Sequence, residues 1–277
     1  MTQNDQADDA LRNSNDYYTE VGKYFDYAMQ ASDKNVGNGI LNKLKDCFRA
    51  ETEAFRFNTA LEIGYGPGED LLFYSKKYPE RQFFGVDVSK GMYYIANNLI
   101  QQNSCENVTV KCGTIDDIQT IFPDKKFDMI YVYFGALNTV TDLHKTATIL
   151  KKVLNPGGKI VVTFINKWHL TGILLPFIKG RWKIAFKRLR KNWGGYSPHR
   201  HLDSKCYTPR DIKKAFVDFK VVKRIGYSII HPAWYQNHLA LKLGKKMDWL
   251  WKIDEFLNKT PAWCLGEYTL FIFEHKG

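Results

Sequence analysis

Residues 59–71, Thr-Ala-Leu-Glu-Ile-Gly-Tyr-Gly-Pro-Gly-Glu-Asp-Leu, constrain this chain more than any other stretch. Thr59 to Ile63 is a short apolar run that reads as a buried strand. Gly64, Gly66 and Gly68 follow at alternate positions, and Leu71, Leu72 and Tyr74 open a helical pattern. Strand, glycine turn and helix start make a ligand-holding corner. Glycine permits positive φ and lets a ligand touch the backbone. The helix N-terminus offers unpaired N–H groups to an anionic part of that ligand.

The next strand sharpens this reading. Arg81 to Val86 is apolar and ends at Asp87, about 20 residues past the loop, where a carboxylate accepts both hydroxyls of a ribose. That pattern points to an adenosine-containing cofactor. A dinucleotide site uses G-x-G-x-x-G around a pyrophosphate. Here the spacing is G-x-G-x-G, with Glu62 just before it inside the strand. An acid there suits a cationic ligand better than a pyrophosphate. S-adenosylmethionine carries an ammonium, a sulfonium and a carboxylate, and this loop offers a partner to each.

Three segments resemble signatures of the class I S-adenosylmethionine-dependent methyltransferases of the small-molecule or lipid type, in the family's order and spacing. They are Glu-Ile-Gly-Tyr-Gly-Pro-Gly (62–68), Gly-Val-Asp-Val-Ser (85–89) and Val-Leu-Asn-Pro-Gly-Gly (153–158). The resemblance covers residues 58–165 well and extends more loosely to the C-terminus. The competing reading is a doubly wound domain for another adenosine cofactor. The resemblance implies an α/β fold, a Rossmann-like doubly wound seven-stranded sheet whose last strand is antiparallel. Residues 1–57 would be a tail and helical lid. Residues 58–277 would be the core, with a helical cap insertion at 166–206.

It also implies S-adenosylmethionine as cofactor and a set of residues around it. Glu62, Gly64, Tyr65, Gly66 and Gly68 belong to the loop, and Asp87 and Val88 to the ribose end. Met92 packs on the adenine in similar enzymes, with an ordinary core methionine as the alternative. Many relatives place an aspartate directly after Gly113; this chain has Thr114, so the adenine contact is expected from Thr114 and the backbone of Ile115. Tyr133 ends the fourth strand, where the transferable methyl group faces in the family. Phe134-Gly-Ala-Leu-Asn138 departs from the N/D-P-P-Y motif of enzymes that methylate exocyclic base or glutamine nitrogens. Tyr17, Tyr18 and Phe25 are lid candidates, or simply aromatics packed on the core.

Hydrophobic periodicity supplies the remaining elements. An amphipathic helix spans Ile40 to Phe55, another runs from Ser89 to Gln102, and a third from Thr139 to Leu154. Strands are expected at 108–112, 127–133, 159–165, 219–230 and 267–275. Tyr207 to Phe216 is a helix with Thr208 as N-cap and Pro209 at its first position. Leu239 to Leu257 reads as one amphipathic helix.

Composition narrows the class. The chain has 277 residues, 44% of them hydrophobic, so a sizeable core is available. The polar start Met1-Thr-Gln-Asn-Asp-Gln is unlike a signal peptide, and the apolar run Gly172–Ile178 is too short to span a bilayer. Cysteines 47, 105, 112, 206 and 264 form no C-x-x-C pair, which points to a reducing cytoplasm with no disulfide framework and no metal. Charge is uneven. Residues 1–142 hold 14 Lys/Arg against 21 Asp/Glu, whereas residues 143–277 hold 26 against 8. Residues 143–202 carry 13 basic residues and no acid. The expected partner is a small-molecule or lipid-like, anionic acceptor, with a solvated basic face as the alternative.

The insertion concentrates this charge. Trp182, Phe186, Leu189 and Trp193 are spaced for one helical face, with Lys183, Lys187, Arg190 and Lys191 on another. The segment reads as a cap whose aromatics, with Trp168, cover the acceptor, or as a peripheral membrane contact through 168–193. His199 and His201 are the general-base candidates, or surface loop histidines. Tyr133 joins them as a catalytic candidate, and Tyr133 and Asn138 would orient substrate. Two other classes stay open: an RNA methyltransferase using the basic half, and a non-catalytic, membrane-associated cofactor-binding protein.

Overall fold

The computed structural model describes residues 11–20, 38–195 and 201–276. Residues 11–20 are helical (α1). Helix α2 (Gly39–Glu53) starts at Asn38, whose side chain accepts the Leu41 amide, and buries Ile40, Leu44 and Phe48. Strand β1 (Thr59–Ile63) and α3 (Glu69–Lys77) flank the glycine turn. Then come β2 (Gln82–Asp87), α4 (Lys90–Gln102), β3 (Val108–Cys112), the single turn α5 (Ile118–Ile121) and β4 (Phe127–Val132). Helix α6 (Leu143–Val153) is capped by Asp142, which accepts the amides of His144 and Lys145. It leads into β5 (Leu154–Ile165).

After β5 the alternation breaks into α7 (Leu170–Ile178) and α8 (Trp182–Ala185). It resumes with α9 (Pro209–Ala215), closed by a capping box between Thr208 and Asp211. Strand β6 (Phe219–Tyr227), α10 (Asn237–Leu243), α11 (Lys246–Leu257) and β7 (Tyr268–His275) complete the chain.

The seven strands are ordered β3-β2-β1-β4-β5-β7-β6, parallel except for β7, which lies antiparallel between β5 and β6. This is the sheet expected from the resemblance. Helices cover both faces, so the central strands are apolar without alternation; Met129 to Val132 of β4 are wholly inaccessible. One core packs Leu61, Ile130, Val162 and Phe271 under α6 and α9. The other packs Phe48, Tyr74, Tyr131 and Leu270 under α2 and α3. The strand order reverses between β1 and β4, and such a switch point opens a crevice at the carboxyl ends of the strands.

Three expectations about elements need correction. Residues 239–257 are two helices, because Gly244 adopts φ +49 and ends the first. Residues 182–193 are not one amphipathic helix: α8 is a single turn, followed by a 3-10 turn at Lys187–Leu189 and irregular chain. Helix α6 begins at Leu143 rather than Thr139, because Ala136–Thr139 forms a separate 3-10 turn and Asp142 supplies the cap.

Candidate active site

The loops after β1 and β4 meet at the switch point. A Cβ built on Gly64 would lie 2.6 Å from Ala136 Cβ, so the first glycine is required by contact between these loops. Gly68 is likewise crowded, 2.9 Å from Ala96 Cβ. Gly66 differs: at φ +54 nothing stands within 4 Å of its Cβ position. Two glycines therefore seat the turn, and the middle one faces open space that a ligand can use.

Asp87 holds that turn from the neighbouring strand. Its Oδ2 accepts the Gly66 amide at 2.9 Å, and its Oδ1 accepts the Ser89 amide at 2.9 Å. Burial pushes this carboxyl up, and the two amides work against the shift. Ser89 then caps α4 by accepting the Met92 amide.

Glu62 lies beneath the turn, 3% exposed. Burial, then the nearby Asp70 charge, holds its carboxyl well above the usual range. Asp70 is itself paired with Arg49 at 2.6 Å. The Glu62 Oε2 atom has no hydrogen-bond partner among the described residues. A buried acid with one oxygen unsatisfied, beside a turn with room at Gly66 and a carboxylate at the end of β2, fits a ligand with a cationic group and a ribose.

Helix α1 closes over this corner. Asn15 Oδ1 accepts the Lys90 amide at 3.2 Å, and Thr19 Oγ1 accepts the Gly91 amide at 3.3 Å. At the other end, Asn13 Oδ1 accepts the Asp203 amide at 2.8 Å and its Nδ2 donates to the His201 carbonyl at 3.3 Å. The helix thus straps α4 to the end of the insertion. Tyr17 and Tyr18 pack edge to face at 5.1 Å. Burial, then the nearby Asp87 charge, raises the Tyr18 phenol. Phe25 and His199 lie outside the described residues.

Several expected side chains turn away. Tyr65 packs its ring against Gly85 and donates to the Lys111 carbonyl at 3.1 Å; it props the loop from inside. The Tyr133 hydroxyl is buried among Thr52 Oγ1 (2.6 Å), Tyr74 OH (2.8 Å) and the Phe48 carbonyl (3.2 Å). It joins α2 and α3 to the sheet and faces away from the crevice. Asn138 is consumed as a backbone staple: Oδ1 accepts the Ile165 amide, and Nδ2 donates to the carbonyls of Ile165 and Lys205. Thr114 gives both its amide and its hydroxyl to Asp117 Oδ2, leaving Ile115 against the core. Met92 is buried and Val88 half-buried.

The insertion divides in two. Trp168 and Trp182 are exposed. The later part packs inward: Arg188 is buried with Nη2 on Glu267 Oε1 at 3.1 Å and Nη1 on the Asn166 carbonyl, and Trp193 lies under its guanidinium. Beside them His169 is fully buried, its Nε2 at 2.8 Å from Thr171 Oγ1. Burial, then the Arg188 charge, holds this imidazole well below its usual value, so it is neutral. This polar cluster at the carboxyl end of β5 was missed from sequence. His201 is 60% exposed and pairs with Asp203 at 3.1 Å.

Known proteins resemble this chain in sequence and in fold. Residues 60–158 match the family model described as a methyltransferase domain. An uncharacterised protein of Rickettsia prowazekii is 36% identical over 115 residues, 40% of this chain and 43% of that protein. The malonyl-[acyl-carrier protein] O-methyltransferase of Priestia megaterium is 28% identical over 134 residues, 48% of this chain and 44% of that enzyme. The chain thus spans less than half the length of these two relatives. An S-adenosylmethionine-dependent methyltransferase structure from Clostridium acetobutylicum aligns with TM-score 0.55 at 13% identity, covering 94% of this chain and 99% of that one.

Proposed function

Since this chain carries a class I S-adenosylmethionine-dependent methyltransferase domain, we propose that the protein transfers the sulfonium methyl group to a small-molecule or lipid-like acceptor. The observation that supports this most is the convergence of Glu62, Gly66 and Asp87 where the loops after β1 and β4 touch. Asp87 would hold the ribose hydroxyls, the Gly66 turn the methionine portion, and Glu62 the cationic side of the ligand. When bound, the cofactor supplies an already activated methyl group.

The chain's own work is then positioning and exclusion of water. Helix α1 closes the ribose side through Asn13, Asn15 and Thr19. The acceptor would approach beside the Arg188, Glu267 and His169 cluster beyond β5, which borders the β4 loop through the Asn138 staple. His201, exposed and paired with Asp203, is the general-base candidate among the described residues. Two relatives support this acceptor class by their names, a malonyl-[acyl-carrier protein] O-methyltransferase and a demethylmenaquinone methyltransferase.

A donor-turnover assay tests this. Labelled S-adenosylmethionine is incubated with the protein and a cell extract separated into lipid, polar metabolite and RNA fractions. Label in the lipid or polar fraction is expected. Label in RNA alone would replace the acceptor class. Tight NAD binding without methyl-donor binding would overturn the reading entirely.

A further inference from the structure

Helix α7, Leu-Thr-Gly-Ile-Leu-Leu-Pro-Phe-Ile, contains no charged residue and buries none of its side chains. Together with α8 it forms an outward hairpin whose tip exposes Leu174, Phe177, Ile178, Trp182, Ile184 and Phe186. Ile178 is 70% and Trp182 58% exposed. Phe177 meets Trp182 at 4.6 Å and Phe186 at 6.1 Å, so the aromatics form one continuous knob. An exposed apolar patch of this size marks a contact surface.

The surroundings say what kind. Lys179, Arg181 and Lys183 are exposed within the hairpin, and no acid occurs from residue 143 to 202. We propose that the α7–α8 hairpin docks the protein on an anionic lipid surface, with the knob dipping into the acyl boundary and the basic collar at the headgroups. A helix of nine residues is about 14 Å long, too short to cross a hydrocarbon core of about 30 Å. It therefore lies in the interface, where Trp, Phe and aliphatic side chains sit beneath a basic collar.

Charge separates this occupant from others. A second copy meeting the same patch across a two-fold axis would oppose two basic collars. RNA matches the charge but has no use for aliphatic side chains such as Ile178 and Ile184, because stacking needs flat aromatic faces. A bilayer containing anionic lipid satisfies both the knob and the collar.

The test is flotation of the full chain with phosphatidylcholine vesicles, with and without phosphatidylglycerol. Binding is expected to the phosphatidylglycerol vesicles, to weaken in high salt, and to shift tryptophan emission to shorter wavelength. Each collar charge is worth about fivefold in partitioning. The triple variant Lys179→Gln, Arg181→Gln and Lys183→Gln is therefore expected to bind roughly a hundredfold more weakly. Ile178→Glu with Trp182→Glu is expected to abolish binding, with an unchanged melting temperature because both side chains are exposed. No vesicle binding, or binding that neither variant changes, overturns the proposal. So does self-association that the glutamate variant abolishes, or retention on RNA in place of vesicles.

Discussion

Asp87 and Gly66 are joined across two strands: the carboxylate at the end of β2 accepts, at 2.9 Å, the amide at the apex of the turn after β1. One residue therefore fixes the glycine turn, and in the proposed function it also holds the ribose. Asp87→Ala is expected to weaken S-adenosylmethionine by about 2–4 kcal/mol, from the lost charge-assisted bonds and the released turn. Titration calorimetry measures this; unchanged affinity would remove Asp87 from the site.

Gly64 and Gly66 should fail differently. At Gly66 an alanine has room but takes φ +54, a strain of about 1–2 kcal/mol. Gly66→Ala should fold and Gly66→Val should fold without binding cofactor. Gly64→Ala must push against Ala136 and should lower the melting temperature more. Equal melting temperatures with equal affinities would show that the two positions are equivalent.

Glu62 predicts an opposed effect on stability and binding. Its folded carboxyl titrates above the unfolded value of about 4.3. The folded state then holds a proton that the unfolded state has lost, so stability falls as pH rises from about 4.3. Glu62→Gln should melt higher than the parent chain at pH 7 when ligand-free, with the gap closing near pH 4. It should also bind S-adenosylmethionine more weakly. Thermal melts across that range, with calorimetry at pH 7, check both; a variant that melts lower at pH 7 refutes the assignment.

The strap of α1 should govern ligand escape. Asn13→Ala loses bonds to Asp203 and His201, together about 1–2 kcal/mol. The cofactor off-rate, read by stopped-flow fluorescence, should rise roughly tenfold while the melting temperature moves little. An unchanged off-rate would mean that residues 11–20 do not cover the ligand.

The candidate corner was legible in sequence because its chemistry is local. The Gly64, Gly66 and Gly68 spacing, Glu62 and Asp87 sit on a strand end and a turn whose form follows from residue type. Side chains beyond that corner were harder to place. Tyr133 and Asn138 were expected at the methyl site, yet the β4 loop runs through positive φ at Phe134 and Gly135. That path leaves Tyr133 among Thr52 and Tyr74 and Asn138 on the backbone of Ile165 and Lys205. The aromatic spacing of residues 182–193 suggested a single face, but a helix of one turn cannot carry the periodicity onward. Trp182 therefore points outward and Trp193 inward.

The sequence by itself determined the strand–turn–helix corner, the doubly wound order of elements and the basic bias of the second half. These depend on short-range backbone preference and on composition. Only the tertiary structure decided which glycine has room for a ligand, since Gly64 is closed by Ala136 from another loop. It alone brought Arg188 to Glu267, 79 residues apart, because β7 inserts antiparallel beside β5 and carries Glu267 to the carboxyl edge of the sheet. It alone left the outer side of the α7–α8 hairpin exposed, since the sheet faces were already covered by other helices. Contacts between distant segments depend on how the layers pack, and no local pattern encodes that.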